Sequence, residues 1–188
     1  MKIKSTTRLL DKTDISRMIL RLTHEIVEKN TNPDDIVLIG ILSRGEPLAH
    51  RIKKNIRELA QKNVELGTVN ISFHRDDFME RLVVPQVKGT DITFNLDKKT
   101  VILVDDVLYT GRTIRAAIDE ILSFGRPSKI QLAVLVDRGH REMPVKADYV
   151  GKNIPTNEGE HVNVYLQEVD GKDLVELRQY SKEKNNAE

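Results

Sequence analysis

Residues 101–113, VILVDDVLYTGRT, run an apolar stretch straight into two adjacent carboxylates, Asp105 and Asp106, and then into a turn holding Thr110, Gly111 and Thr113. A turn that opens a helix offers unpaired backbone N–H groups and the positive end of the helix dipole, which suits a phosphate. Thr110 and Thr113 add hydroxyl donors, and Gly111 permits close approach of the backbone. The two carboxylates cannot hold that same phosphate, because like charges repel. They call instead for vicinal hydroxyls or a metal ion. A phosphorylated sugar meets both needs in one molecule. There is no G-x-x-x-x-G-K-[ST] string and Gly111 stands alone, so neither a P-loop nor a dinucleotide fingerprint is present.

The elements that must position these groups follow from apolar periodicity. Residues 13–30 carry Ile15, Met18, Ile19, Leu22 and Ile26 at helical spacing, with Thr13 or Asp14 available as the N-cap. Residues 36–42 form a continuous apolar strand, and a second helix runs over 47–63. A strand follows over 66–73. Residues 74–99 are polar, broken by proline and poorly periodic, and are expected to form a flexible flap. Then come strand 100–105, helix 111–124 and strand 130–136. An irregular run, 137–160, leads to alternating segments at 161–167 and 174–180, joined by a DGKD turn as a hairpin. Strands alternating with helices indicate an α/β fold with a mostly parallel, twisted sheet. Ligands in such sheets lie beyond the carboxyl ends of the strands, which gathers 43–45, 74–77, 105–113 and 137–141 on one rim.

Composition narrows the classes. The chain has 188 residues, 39% hydrophobic and 31% charged, which suits a single globular domain over residues 1–188. Cysteine is absent, which excludes disulfides, thiolate metal sites and a thiol nucleophile. Aromatic residues are only 4%, so base stacking on an aromatic platform is disfavoured. The formal net charge of +1 places any polyanion surface in a local patch. No apolar signal core and no long apolar span occurs, so a cytoplasmic protein without membrane contact is expected.

Beyond these patterns, VILVDDVLYTGRT resembles the phosphoribosyl-pyrophosphate (PRPP) signature of type I phosphoribosyltransferases. GILSRG, FHRDD, RLTHEI and GRPSKIQLAVLVDRGHREMPVKADYVGKNIPT extend the likeness over nearly the whole chain. Together they resemble the PyrR family, bifunctional pyrimidine-operon attenuation regulators and uracil phosphoribosyltransferases. The resemblance implies the type I phosphoribosyltransferase fold, with helices flanking the sheet, a flap and a small C-terminal hood. It implies the reaction of uracil with PRPP to give UMP and pyrophosphate, with Mg²⁺ bound mainly through PRPP and Asp105 or Asp106 nearby. Asp106, as the principal catalytic group, and Asp105 would then face the ribose hydroxyls. Val107, Leu108, Tyr109, Thr110, Gly111, Arg112 and Thr113 would wrap the 5-phosphate. Ser43, Arg44 and Gly45 match the pyrophosphate loop, and Arg75 would approach pyrophosphate as residues 74–94 close. Asp137 and Arg138 would meet the uracil, Arg138 with a catalytic role, while Tyr149 and Val150 would form a hood over it.

The family's second activity is binding a leader mRNA hairpin of pyrimidine genes in response to UMP or UTP. Arg17, Arg21 and His24 recur on the helix side opposite Ile15, Ile19, Leu22 and Ile26, and His140, Arg141, Lys146 and Lys152 add basic groups. Leu20 and Lys146 depart from the Thr and Arg common among relatives. A homodimer or higher homo-oligomer is implied, which would pair two such strips. Two alternatives stay open: an RNA-binding regulator that uses the transferase site mainly as a nucleotide sensor, and a transferase for a purine or orotate.

Overall fold

The computed structural model describes residues 2–71 and 89–181. In chain order its elements are β1 (Lys2–Leu10), α1 (Lys12–Lys29), a short 3-10 turn (Pro33–Asp35), β2 (Ile36–Ile41), α2 (Gly45–Ala60) and β3 (Glu65–Val69), then β4 (Thr100–Leu108), α3 (Arg112–Ser123), β5 (Lys129–Asp137), β6 (Tyr149–Asn153), β7 (Glu160–Tyr165), α4 (Gln167–Asp170) and β8 (Leu174–Ser181). A parallel sheet of five strands runs β3-β2-β4-β5-β6, and a second, antiparallel sheet runs β1-β8-β7.

β4 lies at the centre and is apolar on both faces, as a strand covered by helices on each side must be. Its Ile102 and Val104 pack with Ile15, Ile19, Leu22 and Ile26 of α1 and Leu48, Ile52 and Ile56 of α2. Its Val101 and Leu103 pack on the opposite face with Ile114, Ala117 and Ile121 of α3. The two-residue alternation of the strand thus assigns one helical layer to each side. No helix of the described residues is long and apolar enough to cross a membrane.

Several boundaries differ from expectation. Helix α1 starts earlier than 13, because Asp11 is its N-cap: the Asp14 amide donates to Asp11 Oδ1 at 3.0 Å and the Asp11 amide to Asp14 Oδ2 at 3.1 Å. The end of the stretch expected as a flap over 74–99 is packed against the fold. Asp91 and Thr68 exchange two backbone hydrogen bonds of 2.9 Å, Leu96 is fully buried, and Ile92 and Phe94 pack beside it. Residues 74–88 of that stretch lie outside the described residues. β7 and β8 pair as expected, but α4 replaces a simple turn between them, and β1 adds a third strand. β6 emerges from the 137–160 run as the fifth parallel strand.

Candidate functional site

Gly45 brings the loop after β2 against the end of β4, and Gly40 in β2 lets the start of α2 lie close over that strand. A Cβ on Gly45 would lie 2.2 Å from the Val104 carbonyl oxygen, and one on Gly40 would lie 2.6 Å from Glu46 Cα. No side chain fits at either place. The loop therefore sits directly beside the carboxylate pair, with Ser43 exposed, Arg44 half-buried as the N-cap of α2, and the Leu42–Ser43 peptide cis. Arg44 donates from Nε at 3.2 Å and from Nη2 at 2.8 Å to the two carboxylate oxygens of Asp170. Burial opposes its charge, but the Asp170 bond and the nearby Asp106 and Asp170 charges outweigh it and raise its pKa.

The two carboxylates differ in exposure. Asp105 is 7% exposed and its Oδ1 accepts from the Asp106 amide at 2.9 Å. Asp106 is more open, and its Oδ1 accepts from the Val107 amide at 2.9 Å. β4 continues to Leu108, beyond the expected end at 105, which carries both acids within a paired strand. Val107 and Leu108 pack into the apolar clusters, so they offer the rim their backbone.

The turn that follows is tied down by the loop after β5. Gly111 has φ +91 and caps α3, and a Cβ there would sit 3.1 Å from Met143 Cβ. A positive φ and this close neighbour together select glycine. The Thr110 carbonyl accepts from the Glu142 and Met143 amides at 2.9 Å each, Thr110 Oγ1 accepts from the Arg112 amide at 3.3 Å, and Arg112 pairs with Glu142 at 2.7 Å. Thr113 stands half-buried in the first turn of α3.

Beyond β5, Arg138 is 8% exposed. Its Nε donates to Thr156 Oγ1 at 3.2 Å, its Nη2 to the Glu160 carbonyl at 2.6 Å, and its guanidinium lies over the Tyr109 ring at 3.9 Å. Burial lowers its pKa while Tyr109 and Glu160 oppose that shift, and an arginine stays charged regardless. His140 Nε2 meets the Thr156 carbonyl at 2.6 Å. Partial burial, and then the Arg138 charge, push the His161 pKa down. Arg138, Tyr109, Thr156 and His161 thus form one polar corner between the turn after β4 and the small sheet. Thr156 closes the stretch from 125 to 156 but carries no expected role, and His161 and Asp170 carry no motif that the sequence could have singled out.

Several expected site residues have different work. Tyr149 does not fit a hood: it is 2% exposed, its hydroxyl donates to Gln131 Oε1 at 3.0 Å, and it accepts from Asn30 Nδ2 at 3.0 Å. It is a core ring on the α1 side, with Lys29 Nζ 5.0 Å from its centroid. Val150 is half-buried, and its carbonyl and that of Gly151 accept from Arg21 Nη2 at 2.9 and 2.6 Å. Arg21, also paired with Glu25, therefore fastens α1 to β6. Arg141 is no free surface cation: it pairs with Asp137 and donates to the carbonyls of Tyr109 at 2.7 Å, Gly139 at 3.1 Å and Val145 at 3.1 Å. Arg17, His24, Lys146 and Lys152 are exposed. Arg75 lies outside the described residues. No group of three or more His, Asp or Glu side chains among the described residues is arranged to hold a metal ion.

Comparison with known proteins places this geometry. The family described as phosphoribosyl transferase domain matches residues 5–169. A "Bifunctional protein PyrR" of Clostridioides difficile (strain 630) is 52% identical over 172 residues, spanning 92% of this chain and 97% of that protein. One of Thermus aquaticus is 52% identical over 169 residues, spanning 90% and 93%. A crystal structure of a hypoxanthine phosphoribosyltransferase from Staphylococcus aureus superposes with a TM-score of 0.68 at 20% identity, over 92% of this chain and 91% of that one, which shows the shared fold.

Proposed function

The chain belongs to the phosphoribosyl transferase family, among the bifunctional PyrR proteins, and we propose that it makes UMP and pyrophosphate from uracil and PRPP and also binds pyrimidine-operon leader RNA to promote transcription attenuation when UMP or UTP is abundant. The observation that carries the enzymatic part is the two-ended rim: Asp105 and Asp106 stand at one end, the Thr110–Gly111–Thr113 turn at the other, and Arg44 beside them.

On this reading the turn and the first amides of α3 hold the 5-phosphate, and the carboxylates accept hydrogen bonds from the ribose hydroxyls. The bond from the anomeric carbon to pyrophosphate breaks with its electron pair leaving on oxygen. A uracil ring nitrogen forms the new bond to the anomeric carbon, and its proton passes to the departing pyrophosphate. Asp106 stabilises positive charge on the sugar, and Arg44 offsets charge on the leaving pyrophosphate. Arg138, with Asp137 beside it, meets the base. Mg²⁺ brought by PRPP would add neutralisation of the pyrophosphate, and Asp105 or Asp106 would be the protein oxygens near it.

The RNA strip consists of Arg17 and His24 on the exposed side of α1, with Lys146 and Lys152 adding charge. Two copies joined in a homodimer would double it. A leader transcript as partner assigns the protein to the cytoplasm. The test is UMP formation with Mg²⁺ and PRPP, compared across uracil, orotate, hypoxanthine and guanine. Turnover with uracil supports the reading. No turnover with any base refutes the enzyme, and preference for another base changes its substrate.

A further inference from the structure

Arg44 and Arg51 stand two turns apart on one side of α2, and both reach the connection between β7 and β8. Arg51 donates from Nε and Nη2 to Glu168 at 2.9 and 2.6 Å, and from Nη2 to Asp173 at 2.7 Å. Asp173 Oδ1 also accepts from the Gln167 amide at 2.9 Å, and Asp170 Oδ2 from the Leu166 amide at 2.9 Å. Backbone bonds thus fix both aspartates, so each presents its carboxylate to an arginine in a set direction. The Arg51 fork sits down the helix, away from the rim, and fastens the small sheet to α2. The Arg44 fork sits at the rim itself.

Two acids act on Arg44. Asp170 is hydrogen-bonded to it, and Asp106 acts on it by charge. We propose that Asp170 is a positioning residue for the transfer site: it holds the Arg44 guanidinium off Asp106, keeping Asp106 open to the ribose and the remaining Arg44 donors open to pyrophosphate. This inference rests on the transferase reading of the rim. Without the Asp170 carboxylate, Asp106 is the remaining acid whose charge acts on Arg44, and an Arg44–Asp106 pair would occupy both halves of the PRPP site. The guanidinium carries donors on more than one edge, so engaging Nε and Nη2 with Asp170 leaves Nη1 for the substrate. The Arg51 clasp serves as an internal comparison, since it joins the same two elements without touching the rim.

The experiment measures PRPP binding by calorimetry and the KM values for PRPP and uracil in wild type, Asp170→Asn, Asp173→Asn, Arg44→Ala and the Arg44→Ala/Asp170→Asn double variant. Asp170→Asn should weaken PRPP binding and raise its KM about tenfold, leaving the uracil KM unchanged. Asp173→Asn should lower the melting temperature without this PRPP effect. In the Arg44→Ala background, Asp170→Asn should add nothing further, because the residue acts through Arg44. A wild type that binds PRPP beside an Asp170→Asn chain that binds it equally well overturns the role of Asp170 alone. Loss that persists in the Arg44→Ala background overturns it too. A wild type that binds no PRPP overturns the transferase reading itself.

Discussion

The guanidinium of Arg138 stacks 3.9 Å above the ring of Tyr109, joining the end of β5 to the turn after β4. The pair ties the end of β5 at the rim to the Thr110–Gly111 turn. Burial alone would disfavour the Arg138 charge, and the Tyr109 ring is among the groups that support it. Tyr109→Leu removes the stacking and leaves the bonds to Thr156 and Glu160. The expected loss is about 1 kcal/mol, or roughly fivefold, in apparent uracil affinity. Steady-state kinetics with uracil varied at saturating PRPP check it, and an unchanged uracil KM contradicts the linkage.

Tyr149 offers a second test, because a hood and a core ring respond differently to loss of a hydroxyl. Its hydroxyl belongs to a buried network with Asn30 and Gln131. Tyr149→Phe strands those partners and should cost about 1–3 kcal/mol of stability. Turnover and the uracil KM should stay at wild-type values. Chemical denaturation beside kinetics separates the two outcomes.

The chain displayed its chemistry better than its packing. Asp105, Asp106, Thr110 and Gly111 were legible because a charged pair at the end of an apolar strand, followed by a glycine turn, has few uses. The central strands, the three flanking helices and the β7–β8 pairing were legible from periodicity. Tyr149 was not, because a tyrosine in an irregular run reads alike whether it stacks on a ligand or fills a core. Arg141 and Arg21 looked like surface cations until their carbonyl partners came into view. β1 was hidden by its polar composition, since much of that strand is exposed and only its Leu10 end is buried. Asp170 was hidden because its partner lies 126 positions away.

Acid should loosen the small sheet from α2. The Glu168 pKa is lowered by its bond to Arg51; burial raises that of Asp173, but the Arg51 bond and the Gln167 amide bring it below its ordinary value. A carboxylate with a lowered folded pKa contributes stability above its unfolded value and loses it as pH falls through the folded one. The ordinary values are 4.5 for Glu168 and 3.8 for Asp173, so the loss begins below about pH 4.5. Melting temperatures recorded from neutral pH down to about pH 3 should fall more steeply in wild type than in Glu168→Gln/Asp173→Asn. Parallel curves contradict the clasp.

The basic residues divide into two groups that substitution should distinguish. Arg17 and His24 are exposed. Arg17→Ala and His24→Ala should weaken binding of a leader hairpin and leave UMP formation intact. Arg141 instead ties Asp137 to three backbone carbonyls beside the turn after β4. Arg141→Ala should therefore lower stability and turnover along with any change in RNA binding. Filter binding at fixed salt, run beside turnover, reads both effects. Normal turnover in Arg141→Ala would return that residue to the free surface.

The most direct test of one chain carrying two separate activities is Asp106→Asn, assayed in parallel for UMP formation and leader-hairpin binding. Turnover should fall on the order of a hundredfold, because the charge that stabilises the cationic sugar is gone. Hairpin binding should match wild type. Turnover that survives the substitution would contradict the role of the carboxylate pair, and equal loss of both activities in a folded protein would contradict their separation.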